Sequence, residues 1–183
     1  MTGRRASFLL CAFWCAASAA RAAADYPLTL TAEAMVNSAA TTITSSVTIR
    51  VDRLMEENRR KRVTDALTHG GYANFVTALR SLPAVGVIEL DRRTVDVRYA
   101  HESADATRRR LVLIADRPLF FLGDPEKSQA GYQLTVMELR FDENGGVTGT
   151  MAGAARVKPS AAGPVLDDYS GQPVRLTAHV GKP

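Results

Sequence analysis

From Leu28 to Val36 every second residue is apolar: Leu28, Leu30, Ala32, Ala34 and Val36 share one parity, and Thr29, Thr31, Glu33 and Met35 share the other. Side chains of an extended strand point alternately to opposite faces, so this period of two predicts a strand with one buried face and one wet face. After a break at 37–40 the pattern resumes, with Ile43, Val47, Ile49 and Val51 opposed by Thr44, Ser46, Thr48 and Arg50. Two such runs in succession predict an antiparallel hairpin, because antiparallel sheets tolerate water on one side.

The period then changes. Leu54 to His69 is rich in helix formers, and Gly70-Gly71 reads as a stop at which a left-handed residue is needed. Beyond it Tyr72, Phe75, Val76, Leu79 and Leu82 recur at three- and four-residue spacing until Pro83. The expectation is a two-helix hairpin over about 54–82, inserted after the second strand, with its aromatic face laid on the sheet.

Strand signals fill the rest of the chain. Segments near 84–90 and Thr94–Ala100 are joined by a turn at Asp91-Arg92-Arg93. Leu111-Val112-Leu113-Ile114-Ala115 is apolar on both parities, which marks a central strand roofed by the helices. In the next strand Tyr132, Leu134 and Val136 share one parity while Met137, Leu139 and Phe141 share the other, and a β-bulge near Val136 would reconcile them. Asp142-Glu143-Asn144-Gly145-Gly146 is a hairpin turn, followed by a strand at Val147–Val157, a Pro/Gly/Ser loop at Pro159–Pro173 and a last strand at Val174–Val180. The fold class expected is α+β, a strongly curved antiparallel sheet of about eight strands that approaches a barrel, with its closure left open.

Residues 1–24 have the three zones of a secretory signal peptide: basic Arg4-Arg5, an apolar stretch from Ala6 to Ala20, and small residues ending in Ala22-Ala23-Ala24. Cleavage after Ala24 would leave residues 25–183 as a single exported α+β domain, with a bacterial periplasm favoured over the medium. It would remove Cys11, Cys15 and Trp14, so the exported domain would have neither thiols nor tryptophan. It would also take the 23 basic residues to 20 against 19 acidic ones, a formal charge of +1 instead of +4. Near neutrality removes the electrostatic argument for nucleic acid, and no later stretch approaches membrane-spanning length.

Motifs that carry chemistry are scarce. His69, His101 and His179 lack the spacing of a metal site, and no Gly-x-Ser-x-Gly, Walker loop or Gly-x-Gly-x-x-Gly occurs, so no cofactor is expected. Acid pairs at Glu56-Glu57, Asp124 with Glu126, Asp142-Glu143 and Asp167-Asp168 read as solvated. Arg59-Arg60-Lys61-Arg62 and Arg108-Arg109-Arg110 would matter together only if they converged in space. The leading expectation is a noncatalytic exported module that binds a small apolar ligand or a protein partner, with Phe75, Leu79, Phe120, Phe121 and Tyr132 as candidate ligand contacts. A hydrolase or isomerase using scattered carboxylates with His101 or His179 is the alternative, and would need a histidine and an acid within hydrogen-bonding reach in a cleft. An envelope protein acting by surface contact is the third reading, favoured if sheet and helices pack solidly.

Overall fold

The computed structural model describes residues 26–37, 42–104, 108–120, 131–170 and 173–179. The proposed signal peptide, Phe121 and the Asp124/Glu126 pair lie outside the described residues. In chain order the elements are β1 (Leu28–Asn37), β2 (Thr42–Val51), α1 (Glu57–Arg80), β3 (Gly86–Leu90), β4 (Arg93–Ala104) and β5 (Arg109–Ala115). They are followed by β6 (Leu134–Phe141), β7 (Gly146–Ser160), β8 (Gly163–Tyr169) and β9 (Val174–His179).

Every pairing is antiparallel, and the sheet closes. β1 to β6 pair each with the next in sequence, β6 pairs with β7, β7 with β9, and β9 with β1. Eight strands therefore form a closed barrel, and β8 is an additional strand hydrogen-bonded to β7. The register Glu33↔Thr177 and Thr148↔Thr177 shows how β9 seals the gap between β1 and β7. Closure removes the edges of the eight barrel strands, and β8 alone keeps an outer edge.

The barrel interior is a packed core. Leu30, Ile49, Ile88, Leu111, Leu113, Met137 and Leu176 are each no more than 2 % exposed, and they belong to one cluster fed by the inward parity of every barrel strand. At one mouth the segment after β5 folds across the end. Leu119 enters the core there and donates its amide to the Gly153 carbonyl at 2.8 Å. A side chain at Gly153 would strike the Leu119 carbonyl oxygen, so glycine is required by this crossing. At the other mouth Tyr26 donates to Glu102 at 2.8 Å, Arg109 faces Glu102 at 3.3 Å, and the Arg109 guanidinium lies 3.8 Å from the centre of the Phe141 ring. Burial, then the Glu102 hydrogen bond, raises the Tyr26 phenol above its ordinary range.

Outside the barrel the strands divide. β1, β2 and β9 show the expected wet parity, with Thr31, Glu33, Thr44, Ser46, Arg175 and Thr177 turned outward. This is the reverse of a membrane-spanning barrel, whose outward face is apolar. Among the described residues no helix is long and apolar enough to cross a membrane. Part of the outer face of β4 to β7 is instead apolar and covered. Val63, Leu67, Phe75, Val76 and Leu79 of α1 pack there against Tyr99, Val112, Ile114, Leu134, Val136 and Ala152, forming a second cluster separate from the interior.

The helical hairpin expected over 54–82 is corrected to a single helix, α1. Gly71 does take the positive φ foreseen for a stop (φ 73°, ψ −174°), but helix resumes after it, so the residue kinks the element without ending it. Beyond the adjoining helix backbone, no atom lies within 4 Å of where a Cβ at Gly71 would be; the requirement there is conformational and not spatial. The expected loop at Pro159–Pro173 is also corrected, because its middle is strand β8, joined to β7 by a two-residue turn.

The parity conflict in β6 has a different origin from the bulge expected at Val136. Both parities are buried because one faces the interior and the other lies under the outer cover. A register irregularity does occur beside Val136, but the extra residue is on the partner strand: Leu134 and Val136 oppose Ala155 and Ala152. A second irregularity between Val97 and Tyr99 turns Val97 inward and Tyr99 outward onto the covered face.

Candidate functional site

The β7–β8 hairpin builds the most constructed feature of the outer wall. β7 pairs through Gly146–Met151 with β9 and through Ala155–Ser160 with β8, both on the edge opposite β6. β8 and β9 thus act as successive halves of one return strand, interrupted at Ser170–Pro173. Beyond the barrel, the β7–β8 half folds back as an arm over the outer face, beside α1. At its tip Gly163 (φ 109°) sits so close to the Tyr99 hydroxyl that a Cβ there would stand 2.8 Å from it. Val157 is buried and Leu166 half-buried against the same outer cluster. Lys158–Asp167 (3.3 Å) ties the two arm strands together, and Tyr132 donates to Asp168 at 2.6 Å, tying the arm to the approach to β6.

Under the arm lies a small, partly open seam pocket of about 40 Å³. Its floor is Val112, Val136 and Ala152 of three adjacent strands, its roof is Pro164, Val165 and Leu166 with Pro173, and its polar end is Arg110, Glu138 and Thr150. Glu138 and Thr150 also line a shallow trough of about 360 Å³ that runs over β6, β7 and β9 between Arg140, Thr148, Arg175 and Thr177. Arg110 donates to Glu138 at 2.6 Å, and Arg140 donates to the other carboxylate oxygen at 2.8 and 3.1 Å. Burial alone would raise the Glu138 carboxyl; the two guanidiniums outweigh it and hold the group below the ordinary carboxylate range. The buried Nε of Arg110 has no hydrogen-bond partner.

The two basic runs meet in part. Arg60 of the first and Arg110 of the second both act on Tyr99 and His101, but Arg60 is held bidentately by Glu57 (2.6 and 2.8 Å) and Arg110 by Glu138. The His101 imidazole is pushed below its usual value, first by burial and then by Arg60. It packs edge-on to Tyr99, with ring centres 6.4 Å apart. Among the described residues no histidine is hydrogen-bonded to a carboxylate, so the geometry required by the hydrolase or isomerase reading is not assembled around His101. The side chain of His179 lies outside the described residues. His69 is exposed on α1, with Nδ1 3.1 Å from the Asp65 carbonyl oxygen. No group of three His, Cys, Asp or Glu side chains is placed to hold a metal ion among the described residues.

The four sequence-predicted contacts among the described residues do not line a common cleft. Phe75 and Leu79 are fully buried between α1 and the barrel, Phe120 is half-buried beyond the Leu119 plug, and Tyr132 is engaged with Asp168. The acid pairs stabilise local structure: Glu56 and Glu57 pair with Arg59 and Arg60, and Asp142 accepts the amides of Asn144 and Gly146 in its turn. The residues of the seam carry no local motif. Their sequence signals are Val112 and Val136, apolar residues on the outward parity of β5 and β6.

Fold and site together define a closed antiparallel barrel with a filled interior, an externally docked helix and a folded-back β arm. Compared with protein-family models, with curated proteins and with solved structures, the chain finds no match.

Proposed function

We propose that this chain is a noncatalytic exported module that acts by binding a protein partner on its outer wall. The observation that carries the reading is the filled barrel. Interior side chains pack against one another, both mouths are occupied by the chain's own residues, and the seam pocket and the trough lie on the outside. An eight-stranded barrel that serves a small ligand keeps interior space for it, and here side chains take that space. Phe75, an aromatic residue that would serve an apolar ligand, is used instead to dock α1. The seam under the arm and the trough beside it are the built feature through which a second protein would be contacted. Export rests on the signal-peptide anatomy of residues 1–24, with the periplasm as destination. The surface-contact reading, in which the protein serves the envelope as an interaction component, is continuous with this one.

Native mass spectrometry of the protein purified from its own cell envelope tests the reading. The expected result is a chain beginning at residue 25 in a stoichiometric complex with a second polypeptide. Bare monomer throughout, or a stoichiometric small molecule retained with no polypeptide, would overturn it. A mass that retains the first 24 residues would overturn the export component.

A further inference from the structure

We infer that the seam pocket and its adjoining trough bind an extended acidic peptide segment of the partner, with one small aliphatic side chain seated under the β7–β8 arm. The inference rests on the surface-binding reading above and names the occupant of that surface.

Two features converge on this occupant. The first is shape. A pocket of about 40 Å³ has room for roughly three water positions, which is the size of a small aliphatic side chain. Its floor of Val112, Val136 and Ala152 and its roof of Pro164 and Leu166 offer such a group apolar contact on both sides. The trough beyond is shallow and bordered by the hydroxyls of Thr148, Thr150 and Thr177, which suits an extended main chain with its own donors and acceptors.

The second is charge. Arg110, Arg140 and Arg175 border the composite site against the single carboxylate Glu138, so the site has a surplus of positive charge that favours an acidic occupant.

The test uses the domain from residue 25 with an acetylated, amidated pentapeptide Glu-Asp-Val-Asp-Glu as probe, read by methyl and amide NMR shifts. Expected are saturable shifts at the methyls of Val112, Val136 and Ala152 together with shifts at the Thr150 and Arg175 amides. Replacing the peptide's Val by Gly should weaken binding about tenfold, as loss of one buried aliphatic group implies. A peptide with Lys in place of the four acids should not bind. R175E, a change at an exposed position on β9, should weaken binding of the acidic peptide without altering the fold, and A152L should remove the pocket-methyl shifts by filling the space. Equal binding of the Lys and acidic peptides, or no shift at the pocket methyls, would overturn the inference. So would binding to vesicles containing anionic lipid, sensitive to R175E, in place of the peptide. If a polypeptide co-purifies with wild type and equally with R175E and A152L, the surface-binding reading stands and this site falls.

Discussion

Truncating Phe75 to alanine should lower the stability of the domain by about 3–5 kcal/mol, among the largest losses expected for a single truncation in this chain. Phe75 is fully buried in the outer cluster, where α1 meets β4 to β7, and it lies on the segment that follows the Gly71 kink. Its removal takes away the transfer free energy of an aromatic side chain and leaves a void that a closed barrel wall cannot collapse to fill. A domain of this size is typically stable by only about 5–15 kcal/mol, so the variant should be markedly destabilised and not merely loosened. Urea denaturation followed by circular dichroism at the helical band measures it. A midpoint change worth less than about 1 kcal/mol would mean that α1 is not docked as described, since even Ile→Val in a core costs about that much.

Asp116→Ala should cost about 3 kcal/mol, because it strips a partner from a largely buried guanidinium. Asp116 follows β5, is 7 % exposed, and accepts from Arg98 Nε at 2.5 Å. The same Arg98 donates to the Leu82 carbonyl at the end of the helical segment and reaches Asp96 at 3.3 Å, while Arg80 of α1 donates to the Asp116 carbonyl at 3.1 and 3.2 Å. Arg98 is the residue displaced at the β4 irregularity, so this bulge makes the cation available to bind helix and barrel together. The loss should fall at the lower end for a broken buried pair, because Arg98 keeps Asp96. Pairing Asp116→Ala with Arg98→Met should recover part of the stability, since an uncompensated charge costs more than the absence of both partners. Strict additivity of the two single losses in a double-mutant cycle would contradict the coupling.

The legible parts of the fold were those in which burial is one-sided and local. The alternation in β1 and β2 predicts the inward and outward faces correctly because water lies on one side of both strands. The apolar run of β5 predicts a covered strand, and the outer cluster, to which α1 and the arm both contribute, covers it through Val112 and Ile114. In β6 the same logic misleads, because a strand buried on both faces mimics a shift of register. Gly70-Gly71 misleads for another reason. Positive φ at Gly71 is real, yet whether a chain reverses or resumes helix after it depends on the tertiary packing of Phe75 and Leu79, which no local spacing encodes.

β8 was hidden by Pro164, which normally argues against a strand. It is tolerated because β8 pairs only with β7 and leaves its other edge unpaired. The candidate site was hidden more completely. Arg110, Val136, Ala152 and Pro164 come from four different strands, and they share a surface only because the barrel places three of those strands side by side and the arm folds back over them. Closure itself joins Glu33 to Thr177 across almost the full length of the chain, which leaves no signature in either segment.

Closure is the central claim, since a filled and sealed barrel is what directs function to the outer wall. Backbone cross-strand NOEs in the domain from residue 25 test it most directly. The account predicts contacts from Thr177 both to Glu33 on β1 and to Thr148 on β7 in the same sample. Finding one ladder without the other, with unprotected amides along the outer edge of β1, would show an open sheet and contradict the account.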